Sequence, residues 1–461
     1  MPNNNANDSE TTQQLPPGPK GHPLIGSLPE MHKERVQFLL DLREEYGDVV
    51  WFKVAKNNIC LVADPDDIVH VLGHNSANYH KSNQYKQLAK TLGPSVLITE
   101  DDQWKHQRRM MDPHFRRDIL NGYAEMMVKT TTAMVDRWLA EVKPGETIDL
   151  MKEMSRLTLS IVCNALFGVD ISTESAEAGQ AFSLVLEFGS KRLQPASPEH
   201  LADMLNLPTE KRRQWLAAQE TLNKIIDGLI ADRRKNGAKD DLLSGLVFAK
   251  DEQGGPAMSD EELRSQVLTL FLAGHETTAT ALTWTFTLLS QHPESERKLH
   301  EELVAAIGDR LPTVDDLPQM SYGQQVIDES LRVYPPIPMI ARMALGDDTL
   351  GGYHIPAGTM VVLSPEVTHR HPDYWDNPEG FDPERFEPEA VKARPHFAYF
   401  PFGGGPRKCI GDNFAALELR LVVSTVVQRV RLELAAGHKV QAGALLTQRP
   451  EGVVNMTVHP R

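Results

Sequence analysis

Phe402-Gly403-Gly404-Gly405-Pro406-Arg407-Lys408-Cys409-Ile410-Gly411 sets a single cysteine behind a glycine-rich turn, and an Ala- and Leu-rich apolar run follows from Asp412. The run predicts a helix, so the cysteine stands at a helix start. Amide donors and the positive end of the helix dipole there favour a thiolate, the form of cysteine that binds metal. Iron is the natural partner of such a ligand.

The rest of the chain bounds what such a site can serve. A length of 461 residues allows about three domains of roughly 150 residues or one large cofactor domain. With 41% hydrophobic and 24% charged residues, the chain is an ordinary globular protein able to bury a sizeable core. A net charge of -15 argues against general nucleic-acid or anionic-membrane binding, which need clustered positive charge. The three cysteines, Cys60, Cys163 and Cys409, are far apart and odd in number, which excludes a disulfide framework and suits a reducing compartment. Met1 to Gln14 is polar, without the positive and apolar regions of a secretion signal. No run of about 20 apolar residues predicts a transmembrane helix. The expected location is cytoplasmic.

Taken in order, Leu15-Pro16-Pro17-Gly18-Pro19 reads as a stiff extended lead-in. Asp48 to Val54 and Ile59 to Val62 predict a strand pair, and Pro65 to Leu72 a short helix. Asn75 to Thr99 has no clean period and is read as a long functional loop. From Asp101 to about Asn236 the period is helical, with breaks at prolines and glycines. Ser259-Asp260-Glu261-Glu262 has the form of a capping box and opens an unbroken helical run to Gln291, about 50 Å long at 1.5 Å per residue. Another helix covers Tyr322 to Tyr334. Short strands follow near Leu345, Tyr353 to Ile355 and Met360 to Leu363, then an aperiodic coil from His369 to Ala398. Strands are expected at Arg431 to Leu434 and Val453 to Val458.

The spacing of Phe402, Gly405, Arg407, Cys409 and Gly411 resembles the haem-binding loop of cytochrome P450 enzymes, whose axial ligand is a cysteine thiolate. The resemblance spans Leu15 to the C-terminus. It implies a mainly α fold, with a disordered tail over 1–14 and one large helical haem domain with small β-sheets over 15–461. It also implies haem b as cofactor, Cys409 as metal ligand, and Phe402, Arg407 and Gly411 among the cofactor contacts. The lead-in is similar to the hinge that follows the membrane anchor of eukaryotic members, and no anchor is expected here.

Other constellations gain meaning beside that loop. Glu329-Ser330-Leu331-Arg332 puts a carboxylate and a guanidinium on one helical face. Phe381-Asp382-Pro383-Glu384-Arg385-Phe386 resembles the family segment whose arginine joins that pair, so Glu329, Arg332 and Arg385 are expected to form a structural clamp on the coil. Ala273-Gly274-His275-Glu276-Thr277-Thr278 interrupts the long apolar helix with small and polar residues. It resembles the family's oxygen-activating segment, implying Glu276 and Thr277 as the catalytic acid and alcohol and Ala273 and Gly274 as a cofactor approach. His275 reads as a solvated or network residue rather than an iron ligand. Trp104 and Arg108 lie one turn apart on one face, and with Arg342 and Arg407 they match family contacts to haem propionates.

The implied function is a haem-thiolate monooxygenase that hydroxylates an apolar substrate with O2 and two electrons. A fatty acid is favoured, with a steroid or terpenoid next. The implied pocket walls are Asn75 to Thr99, the region around Pro195, Ala273, Thr277 and Ile337 to Ile340, with Ile337 and Ile340 the named contacts. No glycine fingerprint for a dinucleotide is present, so electrons must come from a separate ferredoxin or flavodoxin-type donor with its reductase. Lys105, Arg109, Arg116, Arg117 and Lys408 form a basic cluster suited to docking it. A haem-thiolate peroxygenase, isomerase or dehydratase, and a haem-based binder or sensor, are the alternatives; Glu276 and Thr277 weigh against both.

Overall fold

A computed structural model describes residues 14–461 except 34, 144, 169–180, 182–183, 186–187, 190, 192–196, 240, 252–253 and 444–446. The tail over 1–13 and the region around Pro195 lie outside the described residues. Helices dominate. The capping box predicted at Ser259 forms, with the Ser259 amide donating to Glu262 Oε2 at 3.0 Å and the Glu262 amide to Ser259 Oγ at 3.2 Å. It starts the long helix Asp260–Gln291, which packs along the helix Leu150–Phe167. Both are apolar around most of their circumference, so they can sit only in the interior. The helix Asp412–Arg429, directly after the cysteine loop, packs on the long helix and on Ala124–Glu141. Ile161, Leu282, Leu421 and Val422 are fully buried in this core, each worth about 1.5–3 kcal/mol of transfer free energy.

The strands form three small sheets. The largest runs Val49–Val54, Asn57–Val62, Met360–Leu363, Ile340–Ala344, Tyr79–Lys81, antiparallel except for the parallel pairing of Asn57–Val62 with Met360–Leu363. The lead-in is tied to its edge, since the Trp51 amide donates to the Pro17 carbonyl. Thr147–Asp149, Asn455–Pro460 and Val430–Leu434 form the second sheet. Asp348–Leu350 and Tyr353–Ile355 form a hairpin around Gly351 and Gly352, both at positive φ, as a two-residue primed turn demands.

Local expectations need three corrections. Asn75 to Thr99 is not one loop: it holds the strand Tyr79–Lys81 and the helix Asn83–Leu92. The strand is too short to show a period, and the helix is largely polar. Pro65 to Leu72 divides into the α-helix Pro65–Val69 and a π-helical turn over His70–His74. The coil from His369 to Ala398 contains the helix Pro388–Ala393.

Candidate active site

The cysteine loop is a chain of tight turns. The Gly403 amide donates to Phe400 O at 2.9 Å, Lys408 to Gly405 O at 3.1 Å and Cys409 to Phe402 O at 3.0 Å. Gly405, at φ +63°, lies so close to Leu72 that a Cβ would collide with the Leu72 carbonyl, so only glycine fits. Phe402 is half-buried against the core, and Ile340 reaches towards Gly403. Cys409 is exposed, whereas Cys60 and Cys163 are buried. Its surroundings push the thiol above the ordinary cysteine value through desolvation, against the pull of the Gly411 amide, Arg108 and Lys408. That direction is opposite to the one expected from the helix start alone.

Beside this loop the strands bring cations together. Lys81 and Arg342 are direct cross-strand partners. Burial pushes the Lys81 ammonium well below the usual lysine range, and repulsion from Arg342 and Arg407 adds to it. Burial also lowers Arg342. Neither Lys81 nor Arg342 forms an ion pair among the described residues. Arg407 pairs with Glu100, donates to Thr99 O at 2.9 Å and lies 4.0 Å from the centre of the Trp104 ring, a cation–π contact. Arg108 donates to Lys408 O at 2.8 Å and to Asp112 at 2.6 Å.

The long helix opens on one side. Between Ser265 and Leu289 only Leu272, Ala273, Gly274 and Thr277 are not buried. Ala273 and Thr277 are one turn apart on one face, and Thr277 Oγ1 donates to Ala273 O at 2.6 Å. That bond occupies the hydroxyl proton and leaves the oxygen able to accept. A Cβ at Gly274 would meet Val162 Cγ2 at 3.0 Å, so its missing side chain also lets the helix Leu150–Phe167 pack closely. His275 is buried rather than solvated; burial takes its imidazole down to about 4, against a hydrogen bond to the Ser155 backbone. Glu276 is buried as well, and Thr447 Oγ1 donates to its Oε1 at 2.6 Å.

A family model described as Cytochrome P450 matches residues 16–454. The chain belongs to the cytochrome P450 family. It is 35% identical over 96% of its length to cyclooctatin synthase of Streptomyces melanosporofaciens, covering 93% of that protein. It is 33% identical to pentalenene oxygenase of Streptomyces avermitilis, with 93% and 94% of the two chains covered. The crystal structure of the cytochrome P450DA heme domain is similar at a TM-score of 0.87 and 28% identity, over 97% of this chain and 98% of that one. The P450 is an oxidoreductase of the monooxygenase family, mainly α with small sheets, and its family carries a haem-thiolate cofactor. Among the described residues no helix is long and apolar enough to cross a membrane.

The residues present fit that cofactor. One thiol is exposed at a helix start, one face of an otherwise buried helix is open, and two cations without a carboxylate partner among the described residues lie near the loop. Such a pair is unfavourable by itself and suits a group bearing carboxylates.

The loop's approach is held by a buried network in the P450. Glu329 and Arg332 are fully buried and joined by two parallel bonds of 2.7 and 2.8 Å. Arg332 also donates to the carbonyls of His369, Pro378 and Gly380. The Asp382 amide donates to Glu329 at 2.8 Å, and Arg385 Nε stands 3.4 Å from the same carboxylate. His369 carries the tie onward by accepting the Phe400 amide at 2.9 Å.

Lys81, Glu100 and Thr447 escaped the sequence reading. Lys81 sits in a three-residue strand inside a stretch read as loop, and Thr447 is 171 residues from its partner. The basic cluster is also weaker than its composition: Lys105 pairs with Asp102, Arg116 with Asp118 and Lys408 with Asp412. Arg117 meets the neutral Asn413.

Proposed function

We propose that this P450 hydroxylates an apolar terpenoid, using O2 and two electrons from a separate donor. The observation that carries the reading is that the exposed Cys409 precedes a helix packed on the long helix, whose otherwise buried surface opens at Ala273 and Thr277 beside Glu276. In this reading Cys409 is the thiolate ligand of haem b, and Lys81, Arg342, Arg407 and Trp104 hold its propionates. Arg108 bridges to the loop through Lys408 O. Haem bound by thiolate supplies the activation of O2 and the insertion of one oxygen atom.

The chain's own groups supply position and protons. Ala273 has no bulk beyond Cβ and lets a substrate lie close to the helix. Thr277 accepts a hydrogen bond at the same face, and Glu276 carries protons from solvent to that point. Glu329, Arg332 and Arg385 hold the coil that delivers the cysteine loop and take no part in chemistry. Ile337 and Ile340 contribute an apolar wall.

The substrate class draws support from relatives named for cyclooctatin and pentalenene. A fatty acid, the preference drawn from sequence resemblance, stands second. The donor is a small acidic ferredoxin or flavodoxin with its reductase, and the location is cytoplasmic. Titration with a panel of cyclic terpene hydrocarbons and alcohols, steroids and fatty acids, read as the change in haem spin state, tests the class. A terpene hydroxylated with donor and O2 is the expected result. Turnover of fatty acids alone would reverse the order. Equal product from hydrogen peroxide without a donor would favour the peroxygenase.

A further inference from the structure

Thr447 and Gln448 each bond to the long helix. Thr447 is 5% exposed and Glu276 6%, and among the described residues the bond from Thr447 Oγ1 to Oε1 at 2.6 Å is the hydrogen bond this carboxylate accepts. Two turns further along the same helix, Trp284 Nε1 donates to the Gln448 carbonyl at 2.7 Å. The Gln448 amide donates to Pro336 O at 2.9 Å, and Trp284 stacks on Tyr334 at 3.7 Å. The Gly443 amide donates to the Arg449 carbonyl at 2.8 Å. These bonds on either side restrain the Thr447 hydroxyl and, through it, Oε1 of Glu276.

We propose that Thr447 is a positioning residue for proton delivery. Its hydroxyl fixes Oε1 of Glu276, so that Oε2 takes up and releases the protons consumed at the Thr277 face. The proposal rests on the reading of Glu276 as the proton carrier. Each productive turnover takes two electrons from the donor and two protons, inserts one atom of O2 into a C–H bond and releases the other as water. With the carboxylate loose, the same electrons and protons leave as hydrogen peroxide.

The holoenzyme with its donor system and a substrate that shifts its spin state provides the test, in the variants Thr447→Val, Thr447→Ser and Glu276→Gln. Valine keeps the volume and removes the hydroxyl; serine restores the hydroxyl. Thr447→Val is expected to raise the peroxide share of consumed electrons several-fold, with substrate affinity and the carbonyl spectrum unchanged, and Thr447→Ser to restore coupling. Independently of turnover, the infrared difference between wild type and Glu276→Gln isolates the Glu276 carboxylate band. That band should move in Thr447→Val and return in Thr447→Ser. A fully coupled Thr447→Val beside an uncoupled Glu276→Gln would overturn the proposal alone. So would a Thr447→Ser as uncoupled as the valine variant, or an unmoved carboxylate band. A coupled Glu276→Gln would overturn the carrier reading and the proposal with it.

Discussion

The Lys81 ammonium and the Arg342 guanidinium extend from directly opposed positions on adjacent antiparallel strands, with Arg407 as a third cation nearby. Like charges so placed are worth up to about 1 kcal/mol of destabilisation, and burial magnifies the cost to Lys81. Because its folded value is lowered, the unfolded chain holds more protons between that lowered value and the ordinary lysine value of about 10.4. Stability of the haem-free protein should therefore rise with pH through that window. Lys81→Met should flatten the rise, stabilise the haem-free form and weaken haem retention. Urea midpoints across the alkaline range, compared with haem loss to apomyoglobin, measure both effects.

Glu329 and Arg332 have no exposure to solvent, so each depends on the other. Glu329→Ala leaves a buried guanidinium unpaired and should cost about 3–5 kcal/mol. The double variant Glu329→Ala, Arg332→Ala should cost less than the sum of the two single changes, because neither charge is then stranded. Arg332→Lys keeps the charge but loses the fork that serves Glu329 and three carbonyls together. It should lower the urea midpoint and convert part of the carbonyl spectrum to the form without thiolate.

Cys409→Ser should abolish the red-shifted Soret band of the ferrous carbonyl complex, and a normal band would end the assignment of Cys409 as ligand. Thr277→Ala removes the one hydroxyl on the open face of the long helix. It should leave haem bound and raise the peroxide share of consumed electrons by about tenfold or more, within the range of an acid–base group. A peroxide electrode run beside a product assay checks this.

The sequence revealed most where one local pattern carries one local cause. A capping box states its own bonds, which is why Ser259 and Glu262 were readable, and Gly351-Gly352 names its turn. Cys409 was readable because a glycine loop and a helix start are contiguous. Its proton affinity was not, because that depends on the protein packed around it. Lys81, Glu100 and Thr447 act through partners brought by other elements, and no window of sequence contains both members of those pairs. A second constraint on Gly274 was hidden for the same reason: Val162, which a Cβ there would crowd, belongs to a different helix.

The basic cluster around the cysteine loop gives a prediction that differs from its composition. Lys105 lies 3.0 Å from Asp102, Arg116 3.2 Å from Asp118 and Lys408 2.6 Å from Asp412. The first two pairs are exposed and Asp412 in the third is half-buried; exposed pairs contribute little to stability, but each cancels much of the field a distant acidic partner would feel. Arg109 and Arg117 are left without a carboxylate among the described residues, so steering should be modest. Raising ionic strength from about 0.01 M, where the Debye length is about 30 Å, to about 0.1 M, where it is about 10 Å, should slow electron transfer by less than tenfold. Arg109→Glu and Arg117→Glu should each raise the KM for an acidic donor several-fold with kcat unchanged, and flatten the salt dependence. Asp102→Asn and Asp412→Asn should act in the opposite sense, since they release Lys105 and Lys408. Stopped-flow reduction across a salt series reads all four variants, and rates indifferent to both salt and substitution would exclude docking on this face.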